Sequence, residues 1–172
     1  MDSPLCPGAG LPPRRRLRAA ALASLLVLWA PGAPPAWAWV DPSTGLPHAS
    51  RVTRSADIPE KNWLPGHRGV DLGLPPGSEV RAAGNGVVAF AGVVAGSPTV
   101  SIDHADGIRT TYQPVYSRVR EGDAVSEGEV IGILGRSSEH RGLHWGARTG
   151  PDTYINPLTL LAVPAIRLKP LG

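Results

Sequence analysis

The stretch His67-Arg68-Gly69-Val70-Asp71 opens the part of the chain that has the pattern of a folded domain. It places an imidazole and a carboxylate four residues apart, and zinc accepts both as ligands. Two residues at this spacing on a fully extended strand lie about 13 Å apart. His67 and Asp71 can therefore share one ion only if the chain bends between them, and Gly69 would permit that bend. The alternative is a surface histidine beside an unrelated carboxylate, because this spacing is common by chance.

The residues that follow predict an all-β fold. Short runs rich in Val and Ile alternate with glycine-containing turns, without helical periodicity. Two similar units begin at Gly77 and Gly122, and each has the pattern of a turn, a short strand, a tight turn and an apolar strand. Such hairpins predict a small antiparallel β-sandwich or partly open barrel. The expected strands are 69–72, 79–82, 86–94, 99–103, 108–113, 130–134 and 143–148, and 156–161 is expected to form a short helical turn.

Residues 1–38 have the pattern of a secretory signal peptide. Arginines at 14–16 and 18 precede an apolar run over 19–30, and Ala36-Trp37-Ala38 matches a small-x-small cleavage site. The alternative is an uncleaved anchor, but prolines at 31, 34 and 35 would end a helix before it could span a bilayer. We therefore expect a secreted, extracellular protein with no stable membrane span after cleavage.

The remaining chain divides into three expected segments. The polar, proline-broken residues 39–62 predict a flexible arm or linker. Residues 63–163 are expected to form the β domain, with Trp63 and Leu64 as the first residues to pack on it. Residues 164–172 are expected to be a loose C-terminal tail.

Charge and cysteine content exclude some functions. Residues 1–38 carry four of the 17 basic and one of the 14 acidic residues, so the rest of the chain has 13 of each. We find no basic run interleaved with aromatic residues, and hence expect no nucleic-acid partner. The single cysteine, Cys6, lies in the expected signal peptide. The β domain is therefore expected to lack disulfides and to gain stability from its core and from any bound metal.

Several motifs, in order and spacing, resemble the lysostaphin-type zinc metallopeptidases (the LytM-like domains), and in particular a short secreted actinobacterial subgroup. The resemblance covers about residues 63–161. It implies the β architecture of those peptidases, which is similar to a duplicated hybrid motif. The motifs are Gly66-His67-Arg68-Gly69-Val70-Asp71-Leu72, the glycine-bounded runs 77–88 and 122–128, Val100-Ser101-Ile102-Asp103-His104, Thr111-Tyr112 and Leu143-His144-Trp145.

The same resemblance implies a metal site. In that family, the His-x-x-x-Asp pair and the second histidine of a His-x-His motif bind zinc, and here these positions are His67, Asp71 and His144. Three protein ligands leave one position of a catalytic zinc ion open. Bound zinc would supply Lewis-acid activation of water and of the scissile carbonyl. The expected cofactor is therefore Zn²⁺.

Two departures concern catalysis. The family usually has a histidine two residues after the tyrosine of the Thr-Tyr motif and another as the first histidine of His-x-His, and here these positions are Pro114 and Gly142. Neither residue can carry a proton. His140, in the loop before His144, is the candidate replacement, because a positioned histidine contributes about 10²–10⁴ in rate as a general acid or base. The neighbouring Glu139 could do the same work, and the remaining alternative is that His140 is a solvated loop histidine.

Two functions follow. The first is a secreted zinc metalloendopeptidase that acts on peptide crosslinks of bacterial cell-wall peptidoglycan, which the three retained ligands favour. The second is a non-catalytic module of the same fold that binds the cell wall or regulates another cell-wall hydrolase, which Pro114 and Gly142 favour.

Overall fold

The structure is a computed structural model that describes residues 39–162, and apart from one 3₁₀ turn its regular elements in this range are all β-strands. The predicted signal peptide and C-terminal tail lie outside the described residues. Among residues 39–162, no helix has the length and apolar character needed to cross a bilayer. The elements are β1 (Val52–Arg54), β2 (Val70–Leu72), β3 (Glu79–Arg81), β4 (Gly86–Val94), β5 (Ser97–Asp103), β6 (Arg109–Gln113), β7 (Val115–Ser117), β8 (Ala124–Val125), β9 (Val130–Leu134), β10 (Leu143–Arg148), β11 (Tyr154–Ile155) and a 3₁₀ turn (Pro157–Leu160).

The strands form two antiparallel sheets. The larger has the order β1-β2-β10-β6-β5-β4-β8, with β11 paired to the far end of β10, and the smaller has the order β3-β9-β7. The strand β10 therefore lies in the interior of the large sheet, between β2 and β6. Trp145 on β10 and Tyr112 on β6 are the largest fully buried side chains and anchor the core. The predicted all-β, antiparallel and open architecture is confirmed.

All seven expected strands are present, with ends within two residues of the expected ones, and the 3₁₀ turn lies where a helical turn was expected. Asn156 caps this turn by accepting a hydrogen bond from the Leu158 amide (3.1 Å). The short strand of the second glycine-bounded unit is β8. Strands β1, β7 and β11 were not predicted, because they are two or three residues long and pair through the backbone without an apolar pattern of their own.

Residues 39–62 pack on the domain, so the expectation that packing begins at Trp63 is wrong. Trp63 is 79% exposed, whereas Val40 and Asp41 are buried. The Asp41 carboxylate accepts hydrogen bonds from the amides of Ser43 and Ser50, both at 2.7 Å. A buried carboxylate that satisfies local amides folds a proline-rich segment without any hydrophobic periodicity. The segment then adds β1 to the edge of the large sheet.

A chain of buried polar groups joins this segment to the centre of the domain. The ring of Trp39 packs edge-on against His104, with centroids 4.6 Å apart. His104 donates from Nδ1 to the Asn85 carbonyl (2.8 Å), and its Nε2 lies 2.8 Å from the Thr110 hydroxyl. That hydroxyl lies 2.9 Å from the hydroxyl of Tyr112. His104 is therefore structural, because both of its ring nitrogens make contacts within the fold.

The Tyr112 hydroxyl is expected to stabilise the fold. It accepts a hydrogen bond from the buried Ala83 amide (2.9 Å), and burial raises the pKa of Tyr112 to about 12. Tyr112→Phe leaves that amide without a partner, which should lower the free energy of unfolding by about 1–3 kcal/mol. Urea denaturation measures this difference. Tyr116→Phe is the control, because Tyr116 is 62% exposed and its change should stay within about 0.5 kcal/mol. Equal effects of the two substitutions would contradict the assignment.

His104 should make stability depend on pH. Burial lowers the pKa of His104 below the ordinary 6.5, although the hydrogen bond to Asn85 acts in the opposite direction. As the pH falls through 6.5, the unfolded chain takes up a proton that folded His104 does not bind, so stability falls. Well above pH 6.5 neither the folded nor the unfolded chain binds a proton at His104, so His104 causes no loss of stability there. His104→Asn should flatten the slope of unfolding free energy against pH between about 7 and 5. Parallel curves for the two proteins would rule this out.

Candidate metal centre

The antiparallel register of β2 and β10 brings two of the expected ligands together. His144 on β10 is the direct partner of Asp71 on β2. Partners of this kind have Cβ atoms about 4.5–5.5 Å apart, so both side chains reach the same point on one face of the sheet. On the other side of β10, Gln113 of β6 is the partner of His144. The site therefore lies on the face of the large sheet, near the end of β2.

His67 reaches the site because the chain bends before β2. Its backbone forms an isolated antiparallel bridge with Asp57, through hydrogen bonds of 2.7 and 2.9 Å. The bend at Arg68 and Gly69 then returns the chain to β2. A Cβ atom at Gly69 would lie 2.5 Å from the Trp145 carbonyl oxygen, so only glycine permits this close approach. The bend expected from the sequence is present.

The ring of His67 is oriented by a residue that the sequence did not indicate. Its Nδ1 donates to the carbonyl oxygen of Ser55 (2.8 Å), which leaves Nε2 to face the site. An outer hydrogen bond of this kind fixes the tautomer and direction of a metal-binding histidine. Ser55 lies in the segment expected to be a linker and acts through its backbone, so no side-chain pattern could have identified it.

The three expected ligands form a nearly equilateral triangle. His67 Nε2, Asp71 Oδ1 and His144 Nδ1 are separated by 3.1 Å along each edge. Zinc bonds of about 2.0–2.1 Å in tetrahedral geometry place neighbouring ligand atoms about 3.3 Å apart. Two imidazoles and a carboxylate are also donors that zinc accepts. The residues present thus fit a zinc ion in both chemistry and spacing.

His140 joins the same cluster. Its Nδ1 lies 3.0 Å from Asp71 Oδ1, and the four potential ligand atoms all lie within 4.8 Å of one another. Its ring stacks on that of His144, with centroids 4.4 Å apart and planes at 27°. The sequence placed His140 beside the site as a proton carrier, and the structure places its Nδ1 among the ligand atoms themselves.

The local electrostatics keep the donors in forms that can bind a metal. Burial acts to raise the pKa of Asp71, but hydrogen bonds and charge from the surrounding histidines outweigh it and hold that pKa well below its usual range. Burial lowers the pKa of His144, although its contact with Asp71 acts in the opposite direction. At neutral pH the carboxylate is therefore ionised, and His144 is neutral, with a lone pair for a metal.

The backbone at Gly142 excludes a side chain. Gly142 has φ of +120°, and a Cβ atom built there would overlap the carbonyl oxygen of Leu72 and lie 3.0 Å from the Leu74 amide nitrogen. A histidine at this position would require the turn before β10 to move away from β2. At the other departure, Pro114 is buried between β6 and β7. Neither position offers a proton-carrying group to the site.

A groove of about 470 Å³ begins at His144 and runs across the large sheet. Its wall includes Arg68, Arg109 and Arg148, and its lining contains no carboxylate. Asp103 forms a bidentate pair with Arg109 (2.5 and 2.6 Å), whereas Arg148 bonds only to the Pro151 carbonyl (3.2 Å) among the described residues. Four hydroxyl-bearing residues also line the groove, namely Thr99, Ser101, Thr111 and Tyr154. The groove is therefore basic and rich in hydrogen-bonding groups.

Gly142 should tolerate substitution less well than another left-handed glycine. Gly96 has φ of +83° and open space where a Cβ atom would lie, with no neighbouring atom within 4 Å, so Gly96→Ala should cost only about 1–2 kcal/mol for the backbone conformation. Gly142→Ala adds the overlap with Leu72 and should cost about 1–3 kcal/mol more. Denaturant unfolding of both variants measures the difference. Equal losses would show that the turn relaxes freely, and the site could then accept a histidine there.

Comparison with known proteins identifies a peptidase family and relatives of this chain. The family model described as Peptidase family M23 matches residues 65–157. An uncharacterized protein of Mycobacterium tuberculosis is 49% identical over 130 residues, which are 70% of this chain and 51% of that protein. The DD-carboxypeptidase/endopeptidase Mpg of Neisseria meningitidis is 35% identical over 97 residues, or 55% of this chain and 22% of Mpg. The chain thus spans about half the length of the mycobacterial relative.

Two solved structures share the fold. The SpoIIQ–SpoIIIAH pore-forming complex contains a chain that is 25% identical, with a TM-score of 0.61 over 73% of this chain and 91% of that one. The catalytic domain of lysostaphin from Staphylococcus simulans is 24% identical, with a TM-score of 0.53 over 62% of this chain and 86% of that domain. The second likeness confirms the predicted lysostaphin-type fold.

Proposed function

Because the chain belongs to peptidase family M23, we propose that it is a secreted zinc metalloendopeptidase that cleaves peptide crosslinks of bacterial peptidoglycan. The observation that carries this proposal is the 3.1 Å triangle of His67, Asp71 and His144. In the proposal these three residues hold the ion, and the predicted export signal sends the protein to the cell wall. Bound zinc would supply Lewis-acid activation of water and of the peptide carbonyl.

The groove beside His144 supports a peptide substrate. An extended peptide offers amide groups to the hydroxyls of the groove, and peptidoglycan stem peptides carry free carboxylates that suit its arginines. Arg148 is the best-placed of these, because Asp103 already neutralises Arg109 and Arg68 donates to the carbonyls of Asn62 and Leu64. In the proposal the groove holds the substrate and the cluster at its end contains the reacting atoms.

His140 remains the candidate proton carrier of this proposal. It is the one titratable side chain of the cluster beyond the three expected ligands. To act as a general acid or base it must turn its ring from Asp71 toward the substrate, and its place in a loop between β9 and β10 allows that movement. The sequence contains neither of the histidines that usually do this work in the family.

A non-catalytic module is the second candidate. The backbone at Gly142 that excludes a side chain favours it, because the usual histidine cannot be accommodated there without moving the turn. The SpoIIQ–SpoIIIAH chain, which has the same fold, is described as part of a pore-forming complex. In this role the protein would bind cell-wall peptides or control another hydrolase.

Purified protein should bind one zinc ion per chain and release peptide fragments from peptidoglycan. We expect His144→Ala to abolish release and to weaken zinc binding by more than the roughly 10–100-fold that loss of an outer hydrogen-bonding partner costs. Mass spectrometry of the soluble products and equilibrium dialysis with zinc are the measurements. His48→Ala serves as the control, since His48 is exposed and lies outside the cluster.

The outcomes separate the two candidates. Zinc at one per chain with no released fragments, but with binding to insoluble peptidoglycan, would favour the non-catalytic module. If the wild type binds no zinc and His144→Ala behaves like it, the metal site itself is wrong.

A further inference from the structure

The loop that carries His140 is held against the site by specific contacts. The Ser137 hydroxyl accepts hydrogen bonds from the amides of Glu139 (3.0 Å) and His140 (3.1 Å), which forms a tight turn. The Thr53 hydroxyl of β1 lies between two carbonyl acceptors, those of Arg141 (3.0 Å) and Asp71 (3.1 Å), and so links the loop to β2. Gly142 lies directly against β2. His140 therefore has a defined position over the cluster.

That position is the position of a ligand. A proton carrier lies beside the reacting atoms, whereas a ligand atom shares the shell of the ion. His140 Nδ1 lies 3.0 Å from Asp71 Oδ1, about the same as each edge of the triangle formed by the other three atoms. With the other three atoms it makes a set of three imidazole nitrogens and one carboxylate oxygen, all within 4.8 Å of one another. Zinc accepts four donors of these types.

His140 also closes the cluster on its solvent side. Its side chain is 15% exposed, compared with 2% for Asp71, 4% for His67 and 12% for His144, so His140 and His144 are the members that face solvent. The other three ligands belong to strands or to the backbone bridge at His67, and His140 alone belongs to a loop. Next to that loop is a depression of about 510 Å³, lined by Leu74, Pro76 and Arg136 among others, which provides space for the ring to leave.

We propose that His140 is a fourth, displaceable zinc ligand, so that the resting site is coordinatively closed. This inference rests on the proposed zinc site and not on turnover. A zinc ion with four protein ligands has no open position for water or substrate, as in structural zinc sites. Substrate in the groove would then have to displace His140, and the depression beside the loop gives the ring space to leave.

Cobalt-substituted protein tests the proposal without any activity assay. Azide changes the visible spectrum of Co²⁺ when it enters an open coordination position. In His140→Ala that position is open, so the azide concentration for half-maximal change should be at least tenfold lower than in wild type. Zinc affinity, measured against a competing chelator, should fall at least tenfold in the same variant. Glu139→Ala is the matched control, since Glu139 occupies the same loop but is not in the cluster, and it should match wild type in both measurements.

The proposal fails if wild type and His140→Ala bind azide equally and their zinc affinities agree within a factor of two. Thermal unfolding of the metal-free proteins checks that His140→Ala folds, and His140→Gln, which keeps a polar side chain in the loop, provides a second variant with the same expectation. Failure of the proposed zinc site has a different signature, in which neither wild type nor His140→Ala binds zinc or cobalt.

Discussion

The site depends on the pairing of β2 with β10. That register sets Asp71 opposite His144 and, on either side of this pair, Leu72 opposite Leu143 and Val70 opposite Trp145. Because these four flanking side chains are fully buried, a slip by one residue would expose them and separate the two ligands at the same time. Hydrophobic burial thereby fixes the geometry of a polar site to which it contributes no donor atom.

The sequence was sufficient for most of the fold, and it named all four clustered residues, three as ligands through the family resemblance and His140 as a proton carrier. Alternating apolar residues and glycine turns located the strands that bury a face, because burial leaves a periodic trace. The sequence has no such periodic pattern in β1 or in the packed segment around Asp41, because the contacts there are between backbone groups and one carboxylate. That His140 Nδ1 would lie among the ligand atoms was not predicted for a related reason, since the path of its loop is set by Ser137 and Thr53 and has no periodic pattern.

Residues 39–62 do more than a linker would, because they help to position the clustered side chains. They supply the Ser55 carbonyl that orients His67 and the Thr53 hydroxyl that holds the His140 loop. Two of the four clustered histidine and aspartate side chains are thus positioned by residues 53–55, which come from an edge strand and the residue after it. Order in this edge and order in the metal centre are therefore coupled, and binding of an ion would stabilise both together.

Gly142 has a consequence for how this protein could change. A single substitution to histidine there would introduce the residue type that related peptidases carry, yet its Cβ atom would collide with the carbonyl oxygen of Leu72 before the imidazole reached the ion. The substitution would therefore destabilise the fold without placing a functional imidazole in the site. Changes that first move the turn away from β2 would also move His140, which lies two residues earlier. A site with glycine at 142 and His140 in the cluster therefore cannot be converted by one substitution into a site with histidine at 142. Several changes would be needed together.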